Sequence, residues 1–561
     1  MAKITIDGKE LDADPKLTII QAARQHGIHI PHFCWHPKLS VSGNCRMCLV
    51  EVEKMPKLAI ACATQVAEGM IVRTNNERVI KARNSVMEFL LINHPLDCPI
   101  CDEAGECKLQ DYSYKYSVGY SRFDENKVHK PKRVELGPRI VLDDERCIMC
   151  SRCIRFADEI AHQPVLIFTE RGTHVVLRTF PHTVLDNPYS MNVIDLCPVG
   201  ALTSKDFRFK SRVWEMANTE SICTGCARGC NINIWTRNNE ILRLTPRLNE
   251  DVNSYWMCDH GRLGTFKFVN SDNRIKTPMI RKEEALMEVN WDEAISQVAS
   301  DLRSYKKSEI AGLGSAYATN EDNYVFRRLM KGVIGTKFVD VVPHVKEGDE
   351  DQLLIRADKT PNAVGAAAVG VTSVDASTGL EAILNGISSG AIKVLYVLED
   401  NIAADPRVAS VLSELDLLIV HSYEHNETTK LASVVLSAST YAEKNGTMTN
   451  FQRRVQRIRP AVATLEADRA LGGFSMSRWD KFASPNDRWG KGPRRDARPS
   501  WRIVSGIANA LGAKFKYNAV EEVFKDLAEK VEIFKGLSYA KIGNRGIALT
   551  TENVPTSLIP A

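Results

Sequence analysis

Residues 147–153 read Cys-Ile-Met-Cys-Ser-Arg-Cys, and a further cysteine, followed by proline, stands at Cys197. Thiolates grouped at such short, repeated spacings are typical of chains that hold soft metals or iron–sulfur clusters. All 15 cysteines of the chain lie between Cys34 and Cys258, in four groups. The stretch at 147–153 therefore indicates that metal binding organises the first half of the chain.

The spacing at 147–153 is that of bacterial ferredoxins, in which the Cys-Pro closing each run binds the other of two clusters. A second triplet would stand where this chain has Asn187, Ser190 and Val193. We therefore expect that one cluster has been lost and that Cys197 serves the remaining one. The predicted [4Fe–4S] ligands are Cys147, Cys150, Cys153 and Cys197, with a zinc or structural site as the alternative.

The first group of cysteines follows a predicted hairpin about Asp7-Gly8 and a short predicted helix from Ile19 to His26. Its spacing is Cys-x10-Cys-x2-Cys-x13-Cys. Plant-type [2Fe–2S] ferredoxins have the same order of a loop cysteine, a Cys-x2-Cys pair and a later single cysteine, although their first gap is shorter. The glycine-bearing loop and the lone fourth cysteine favour iron–sulfur over a structural zinc site. The predicted [2Fe–2S] ligands are Cys34, Cys45, Cys48 and Cys62.

The second group has only three cysteines and follows a predicted amphipathic helix over 76–93. The apolar face of that helix is predicted to hold Val79, Ile80, Val86, Met87, Leu90 and Leu91. A tetrahedral site needs a fourth ligand, and a histidine stands just upstream of the cysteines. The predicted ligands are His94, Cys98, Cys101 and Cys107, a set that zinc and iron–sulfur would both accept.

The fourth group has the spacing Cys-x2-Cys-x3-Cys-x27-Cys and predicts another [4Fe–4S] site, with zinc as the alternative. Gly225 and Gly229 lie inside this group, where glycine lets the backbone approach bound sulfides closely. The predicted ligands are Cys223, Cys226, Cys230 and Cys258.

The composition is that of a multidomain globular protein of 561 residues, with 44% apolar and 25% charged residues. A net charge of +4 is small for this length and gives no reason to expect nucleic acid as a partner. The N-terminus resembles neither a signal nor a transit peptide, and we find no apolar run of about 18 residues. We expect neither export nor a membrane span, and a reducing compartment then disfavours disulfides.

The second half is predicted to be an α/β fold with a parallel sheet. A helix is expected over 291–305 and buried strands over 392–398 and 415–420. The stretch 472–500, rich in Gly, Pro, Ser and Arg, is interpreted as an irregular arm on this fold or on a partner, with nucleic-acid contact as the alternative. A last helical stretch is expected over 520–534. No catalytic residue is predicted, because no Ser-His-acid, P-loop or paired-carboxylate signature stands out.

The succession of the four groups resembles the family of the large iron–sulfur subunit (the G subunit) of bacterial NADH-quinone oxidoreductase, or respiratory complex I. The resemblance covers nearly the whole chain, because the segments 315–324 and 437–450 are similar to that family's molybdopterin-oxidoreductase-like domain. It implies that the second group binds a [4Fe–4S] cluster through one histidine and three cysteines. The implied cofactors are one [2Fe–2S] and three [4Fe–4S] clusters. Molybdopterin is not expected, because the α/β region is short and has no cysteine for molybdenum.

The resemblance implies a multidomain fold with α+β and α/β parts. These are a [2Fe–2S] ferredoxin domain of the β-grasp type, ferredoxin-like [4Fe–4S] modules and a truncated molybdopterin-oxidoreductase-like α/β domain. The implied boundaries are 1–78, 79–118, 138–210 and 216–561, with the site at 223–258 inside the last domain.

The implied function is electron transfer within a proton-translocating NADH:quinone oxidoreductase complex. The chain would relay electrons from a flavin-bearing, NADH-oxidising subunit toward quinone, beside a ferredoxin-like subunit and the quinone-site subunits. It would lie peripherally on the cytoplasmic face of the bacterial inner membrane, without inserting into it. The alternatives are a formate dehydrogenase or iron-hydrogenase-related subunit, against which the absence of cysteines after Cys258 argues, and a zinc-stabilised scaffold.

Overall fold

The computed structural model of the protein describes residues 1–466 and 494–549. Within them the chain forms two compact units, Met1–Glu215 and Met216–Ala561. Most of the arm predicted at 472–500 lies outside the described residues. The finer division of the first unit into three domains stays a prediction. Among the described residues, no helix combines the length and the hydrophobicity needed to cross a bilayer.

The first unit combines small sheets with short helices. Its strands are β1 Ala2–Ile6, β2 Lys9–Ala13, β3 Leu49–Val52, β4 Ala59–Ile60, β5 Ile71–Arg73, β6 Val134–Glu135, β7 Ile140–Leu142, β8 Leu166–Thr169, β9 Val176–Thr179 and β10 Leu202–Ser204. Its helices are α1 Ile19–Gln25, α2 Glu77–Ile92, α3 Lys108–Tyr116, α4 Arg152–Glu159 and α5 Asn192–Leu196. Strands assemble in the orders β2-β1-β5-β3-β4, β10-β7-β6 and β8-β9.

The N-terminal sheet contains the predicted hairpin. Ile6 pairs with Lys9, and the turn residues Asp7 and Gly8 have φ values of 48° and 82°, as a two-residue hairpin turn requires. The predicted helix at 19–26 is present as α1, and Gly27 follows it with φ of 73°. The apolar face of α1 packs in one core with β1 and β3.

Helix α2 confirms the predicted helix over 76–93, and Asn76 caps it by accepting a hydrogen bond from the Val79 amide at 3.0 Å. Val79 and Met87 are buried as expected. The centre of the buried face is, however, Arg83, which is only 1% exposed. Its Nη2 donates to the Leu49 carbonyl at 3.0 Å, and its guanidinium lies over the Tyr116 ring. An arginine with such partners can occupy a core position that apolar periodicity alone would not assign to it.

The second unit begins with a three-stranded antiparallel meander and continues as an α/β fold. Its strands are β11 Ala217–Ile222, β12 Asn231–Arg237, β13 Glu240–Pro246, β14 Met279–Lys282, β15 Ala285–Glu288, β16 Ile310–Gly314, β17 Val339–Val341, β18 Val394–Val397, β19 Leu417–Ser422, β20 Val434–Ser437, β21 Gly446–Thr449, β22 Arg454–Ile458 and β23 Ile547–Ala548. Its helices are α6 Asp259–Asn270, α7 Trp291–Arg303, α8 Asn320–Arg327, α9 Ala363–Val369, α10 Leu380–Ser388, α11 Pro406–Leu412, α12 Glu427–Leu431, α13 Ser500–Ala510, α14 Val520–Lys530 and α15 Tyr539–Ile542.

The predicted parallel sheet is present. Seven strands assemble in the order β15-β14-β20-β19-β18-β16-β17, and β16 to β20 run parallel to one another. The strands expected at 392–398 and 415–420 are β18 and β19, and all their residues are buried. The helices expected at 291–305 and 520–534 are α7 and α14 with the short 3-10 turn that follows it. Apolar cores cover both faces of this sheet, as a parallel sheet requires.

Candidate metal centres

The first ligand set is held by the pairing of β3 with β4. Cys48 precedes β3 and Cys62 lies just after β4, and the Ala61 amide donates to the Cys48 carbonyl at 3.1 Å. The Cys62 thiol hydrogen-bonds with that of Cys48, and the Cys34 thiol with that of Cys45. The contact with Cys45 lowers the pKa of Cys34 to about 5. The structure therefore brings these four thiols together as two adjacent pairs.

The third set surrounds a cavity lined by all four predicted cysteines: Cys147, Cys150, Cys153 and Cys197. The remaining lining is mostly apolar and includes Leu142, Phe168, Leu177 and Val199, with Ser151 and Arg152 as its polar members. Burial raises the pKa of Cys147 to about 12 and that of Cys197 well above its ordinary value. Thiols buried in this way ionise only if a positive charge lies beside them. The iron ions of a cluster would supply that charge, and the apolar walls would keep water away, so the cavity fits an iron–sulfur cluster.

The backbone of the third loop is shaped by left-handed residues. Met149 and Ser151 have φ values of 53° and 59°, on either side of Cys150. Alternation of right- and left-handed residues turns successive N–H groups inward and is typical of anion and iron–sulfur sites. Strand β10 pairs with β7, with Leu202 opposite Leu142. This pairing brings the chain that follows Cys197 back beside the strand that precedes Cys147.

The second set is only partly assembled. Cys101 and Cys107 are buried and their thiols interact, whereas Cys98 is exposed. His94 lines a separate cavity together with Cys147, and burial lowers its pKa to about 4, so that its ring is neutral at pH 7. A neutral imidazole is the form that binds metal. The complete set of His94, Cys98, Cys101 and Cys107 stays a prediction.

Residues Cys197 to Gly200 also form a wall of the second set. The Cys107 thiol donates to the Pro198 carbonyl at 3.9 Å, a distance ordinary for sulfur. A Cβ added to Gly200 would lie 2.2 Å from Cys101 Sγ, so only glycine permits this approach. Sequence reasoning missed Gly200, since its partner lies far away along the chain.

The fourth set lies at the end of the β11–β12 pair. The Cys223 amide donates to the Cys230 carbonyl at 2.8 Å, which closes the hairpin that carries the three nearby cysteines. Cys258 is the N-cap of α6, and its Sγ accepts a hydrogen bond from the Gly261 amide at 3.2 Å. The Gly225 amide likewise donates to Cys223 Sγ at 3.4 Å. Amide donors and a helix N-terminus both stabilise ionised sulfur, so these donors fit a cluster ligated by thiolates.

Gly261 separates two thiols of the fourth set. A Cβ there would lie 2.9 Å from Cys223 Sγ and 3.2 Å from Cys258 Sγ. These two thiols, 35 positions apart in sequence, therefore meet across this glycine. In the described part of the chain, no group of three or more His, Cys, Asp or Glu side chains has the arrangement of a site for one metal ion.

The loop of the third set contacts the loops of both the first and the second set. The Asn44 side chain, next to Cys45, donates to the Met149 carbonyl at 2.8 Å, which joins the first and third loops. The contacts of Pro198 and Gly200 join the third set to the second. The first and third sets are therefore neighbours, and so are the third and second, although the first and third are not consecutive along the chain.

Sequence models of protein families match five parts of the chain. Residues 1–77 match a 2Fe-2S iron-sulfur cluster binding domain, 83–122 the NADH-ubiquinone oxidoreductase-G iron-sulfur binding region, 137–203 the ferredoxin-like domain of NADH-quinone oxidoreductase subunit 3, 216–265 an NDSU1/NuoG-like 4Fe-4S domain, and 274–363 with 357–470 molybdopterin oxidoreductase. The G subunit of NADH-quinone oxidoreductase from Rickettsia felis is 44% identical over 333 residues, which are 59% of this chain and 49% of that protein. Over these parts the chain is similar to the G-subunit family.

Other relatives carry related names. The mitochondrial 78 kDa subunit of NADH-ubiquinone oxidoreductase from Neurospora crassa is 46% identical over 300 residues, 53% of this chain and 40% of that protein. A crystal structure of an NAD+-reducing [NiFe]-hydrogenase in the H2-reduced state aligns at 30% identity with a TM-score of 0.35, over 38% of this chain and 91% of that one. The alignments with the curated G-subunit relatives span about half of their length.

The family matches confirm the expected fold class, which combines a 2Fe-2S domain, ferredoxin-like 4Fe-4S parts and a molybdopterin-oxidoreductase part. They also confirm that the chain has iron–sulfur binding domains of both cluster types. The number of clusters and the individual ligands remain predictions.

The carboxyl edge of the parallel sheet is occupied by the chain's own side chains. Such an edge is where α/β folds commonly bind ligands. Here Lys444 Nζ lies 2.8 Å from Asp322 Oδ2 and 2.6 Å from Glu399 Oε1, and all three side chains are at most 3% exposed. Ser500 Oγ donates to Glu399 at 2.5 Å. The sequence did not predict this network. Charged residues are expected to face solvent unless an oppositely charged partner is known, and these partners lie far apart in the sequence.

Proposed function

We propose that the chain is the iron–sulfur electron-transfer subunit of an NADH-quinone oxidoreductase. It would hold one [2Fe–2S] and three [4Fe–4S] clusters on the four predicted ligand sets. The observation that carries the proposal is the cavity that Cys147, Cys150, Cys153 and Cys197 line among mostly apolar walls, in a chain similar to the G-subunit family.

Iron–sulfur clusters, when bound, accept and release single electrons at potentials set by ligand charge, hydrogen bonds to sulfur and solvent exposure. The chain's residues would act on each of these factors. Leu142, Phe168 and Leu177 exclude water from the third site. The amides of Gly225 and Gly261 donate to ligand sulfurs of the fourth. A neutral His94 would leave the second site with one negative charge fewer than four thiolates would give.

The proposed partners are a flavin-bearing subunit that oxidises NADH, a ferredoxin-like subunit and the quinone-site subunits. We propose a peripheral location on the cytoplasmic face of a bacterial inner membrane. The family name of the relatives supports both proposals, since it describes a component of a larger oxidoreductase.

The proposal is tested by the iron and acid-labile sulfide content of the purified full chain. One [2Fe–2S] and three [4Fe–4S] clusters require about 14 iron atoms per chain. EPR spectra of the reduced protein should show cluster signals, and NADH with the flavin-bearing partner should generate them. Zinc in place of iron, or a colourless protein without labile sulfide, would support the scaffold alternative and overturn the proposal.

His94 offers a sharper test of one ligand set. We expect His94→Ala to remove one [4Fe–4S] signal and about four of the iron atoms, because the site loses a ligand. His182→Ala is the matched control, since the His182 side chain is exposed in the same unit. An EPR spectrum of His94→Ala that is identical to the control's would refute the ligand assignment.

A further inference from the structure

Two arginines at the start of α4 lie between the first and the third ligand sets. Arg152 and Arg155 stand on either side of Cys153 in the helix that follows Cys150. Both side chains reach the loop that carries Cys34, far earlier in the sequence. Neither arginine belongs to a predicted ligand set, and the spacing of the cysteines does not single them out.

The guanidinium of Arg152 is bound to the backbone beside a ligand of each set. Its Nη2 donates to the Trp35 carbonyl at 2.6 Å, and its Nη1 donates to the Leu196 carbonyl at 3.2 Å. Trp35 directly follows Cys34, and Leu196 directly precedes Cys197. The Nε of Arg152 is buried and has no hydrogen-bond partner among the described residues, so one donor remains for a group held by the thiols.

Arg155 also joins the first and third loops, through the backbone carbonyls of two predicted ligands. Its Nη2 donates to the Cys34 carbonyl at 2.6 Å and to the Cys150 carbonyl at 3.2 Å. Its Nε donates to Ser151 Oγ at 3.2 Å, which holds the side chain against the third loop. Each arginine therefore contacts both ligand loops at once.

The charge of Arg152 lies beside the thiols of the third set. Arg152 lines the same cavity as Cys147, Cys150, Cys153 and Cys197. A guanidinium keeps its proton in proteins, so the positive charge between the two sets is permanent. It also acts at short range in a poorly hydrated region, where electrostatic interactions are strong.

We propose that Arg152 and Arg155 are positioning residues that couple the first and third sites, raising the reduction potentials of both through one shared pair of fixed charges. This inference rests on the proposed function, because it requires clusters at both sets. An electron added at either site is a negative charge that a nearby cation stabilises. Removal of one cation should therefore lower both potentials together, whereas an arginine that served a single site would change only one.

The test compares substitutions that separate charge from hydrogen bonding. Arg152→Gln removes the charge but keeps an amide donor, and Arg152→Lys keeps the charge but loses the two-pronged hydrogen bonding. Arg133→Gln is the control, because Arg133 is 75% exposed in the same unit. The full chain, with its iron and labile sulfide, is titrated potentiometrically while EPR follows each site. The third-site signal is assigned as the one that Cys150→Ser abolishes.

At a fixed potential, we expect Arg152→Gln to decrease the ratio of reduced to oxidised cluster about tenfold at both the first and the third site. For a one-electron couple this is a shift of about 59 mV to lower potential. In Arg152→Lys and Arg133→Gln, this ratio should stay within about twofold of its value in the unsubstituted chain. Arg152→Lys keeps the charge, and the charge lost in Arg133→Gln is remote from both sites. A shift at one site only, or an equal shift in Arg133→Gln, would overturn the proposal.

Arg155→Gln and Arg155→Lys provide the same comparison if Arg152→Gln binds no iron. Loss of iron from both glutamine and both lysine variants would show that the arginines act through folding alone, and would overturn the proposal. Absence of cluster signals from the unsubstituted chain would instead refute the proposed function, and with it the premise of the coupling.

Discussion

Gly200→Ala should remove the second cluster while leaving the third in place. Gly200 follows Cys197 by three residues, and its Cα faces Cys101 so closely that an added Cβ would lie 2.2 Å from Cys101 Sγ. The same Cβ would lie 3.0 Å from the Cβ of Glu103. The φ of Gly200 is outside the left-handed region, so alanine is acceptable to the backbone and only the contact is at issue.

The size of the effect follows from that distance. Ordinary van der Waals contact begins at 3.4 Å, so the Cβ and the sulfur must separate by about 1.2 Å. Ligand distances in metal sites are held within about 0.2 Å. The required displacement is several times larger than this tolerance, so Cys101 should leave its position as a ligand. Overpacking in addition costs about 1–3 kcal/mol of folding free energy.

The assay is iron and labile-sulfide content combined with EPR of the reduced chain. We expect about 10 iron atoms per chain instead of about 14, with one [4Fe–4S] signal absent and the signal abolished by Cys150→Ser retained. Gly332→Ala is the matched control, because a Cβ there meets nothing within 4 Å. A Gly200→Ala protein with the full iron content and unchanged signals would refute the contact with Cys101 as a determinant of the second site.

Two further predictions concern the second unit, and both are measured by urea unfolding. Lys444→Met should destabilise it by about 3–5 kcal/mol, because Asp322 and Glu399 lose a buried counter-ion; the exposed Lys535→Met should change stability by less than about 0.5 kcal/mol, and equal effects would contradict the reasoning. Burial raises the pKa of Glu321 to about 7. The folded chain therefore holds a proton there that the unfolded chain has released above about pH 4.5, and stability should fall as pH rises toward 7, by roughly 1.4 kcal/mol per pH unit. Glu321→Gln should weaken this dependence relative to the exposed Glu532→Gln, and an unchanged slope would disprove the assignment.

Local features were predictable from the sequence because their causes are local. The Asp7-Gly8 turn, helix α1 with Gly27 after it and the capped helix α2 follow from residues within one or two turns. Strands β18 and β19 were recognised because buried parallel strands form continuous apolar runs.

The remaining features depend on partners that are distant in sequence. Apolar periodicity identifies the buried face of α2, but it does not reveal that Leu49 and Tyr116 supply a place for Arg83 in that face. Lys444 is almost fully buried only because two carboxylates from other parts of the chain surround it. Cysteine spacing likewise predicts which thiols form a set, but not which sets are neighbours.

The position of Cys197 illustrates how these two kinds of information combine. Cys197 stands far from Cys153 in the sequence. This separation is expected if the segment derives from a two-cluster module, because the closing Cys-Pro of each run there binds the opposite cluster. At two of the positions where a second triplet would stand, Ser190 and Val193 are fully buried. The retained turn has a second consequence, because Pro198 and Gly200 form the wall against which Cys107 and Cys101 lie. Substitutions in this turn therefore act on different sites: Cys197→Ser should remove the third cluster and Gly200→Ala the second.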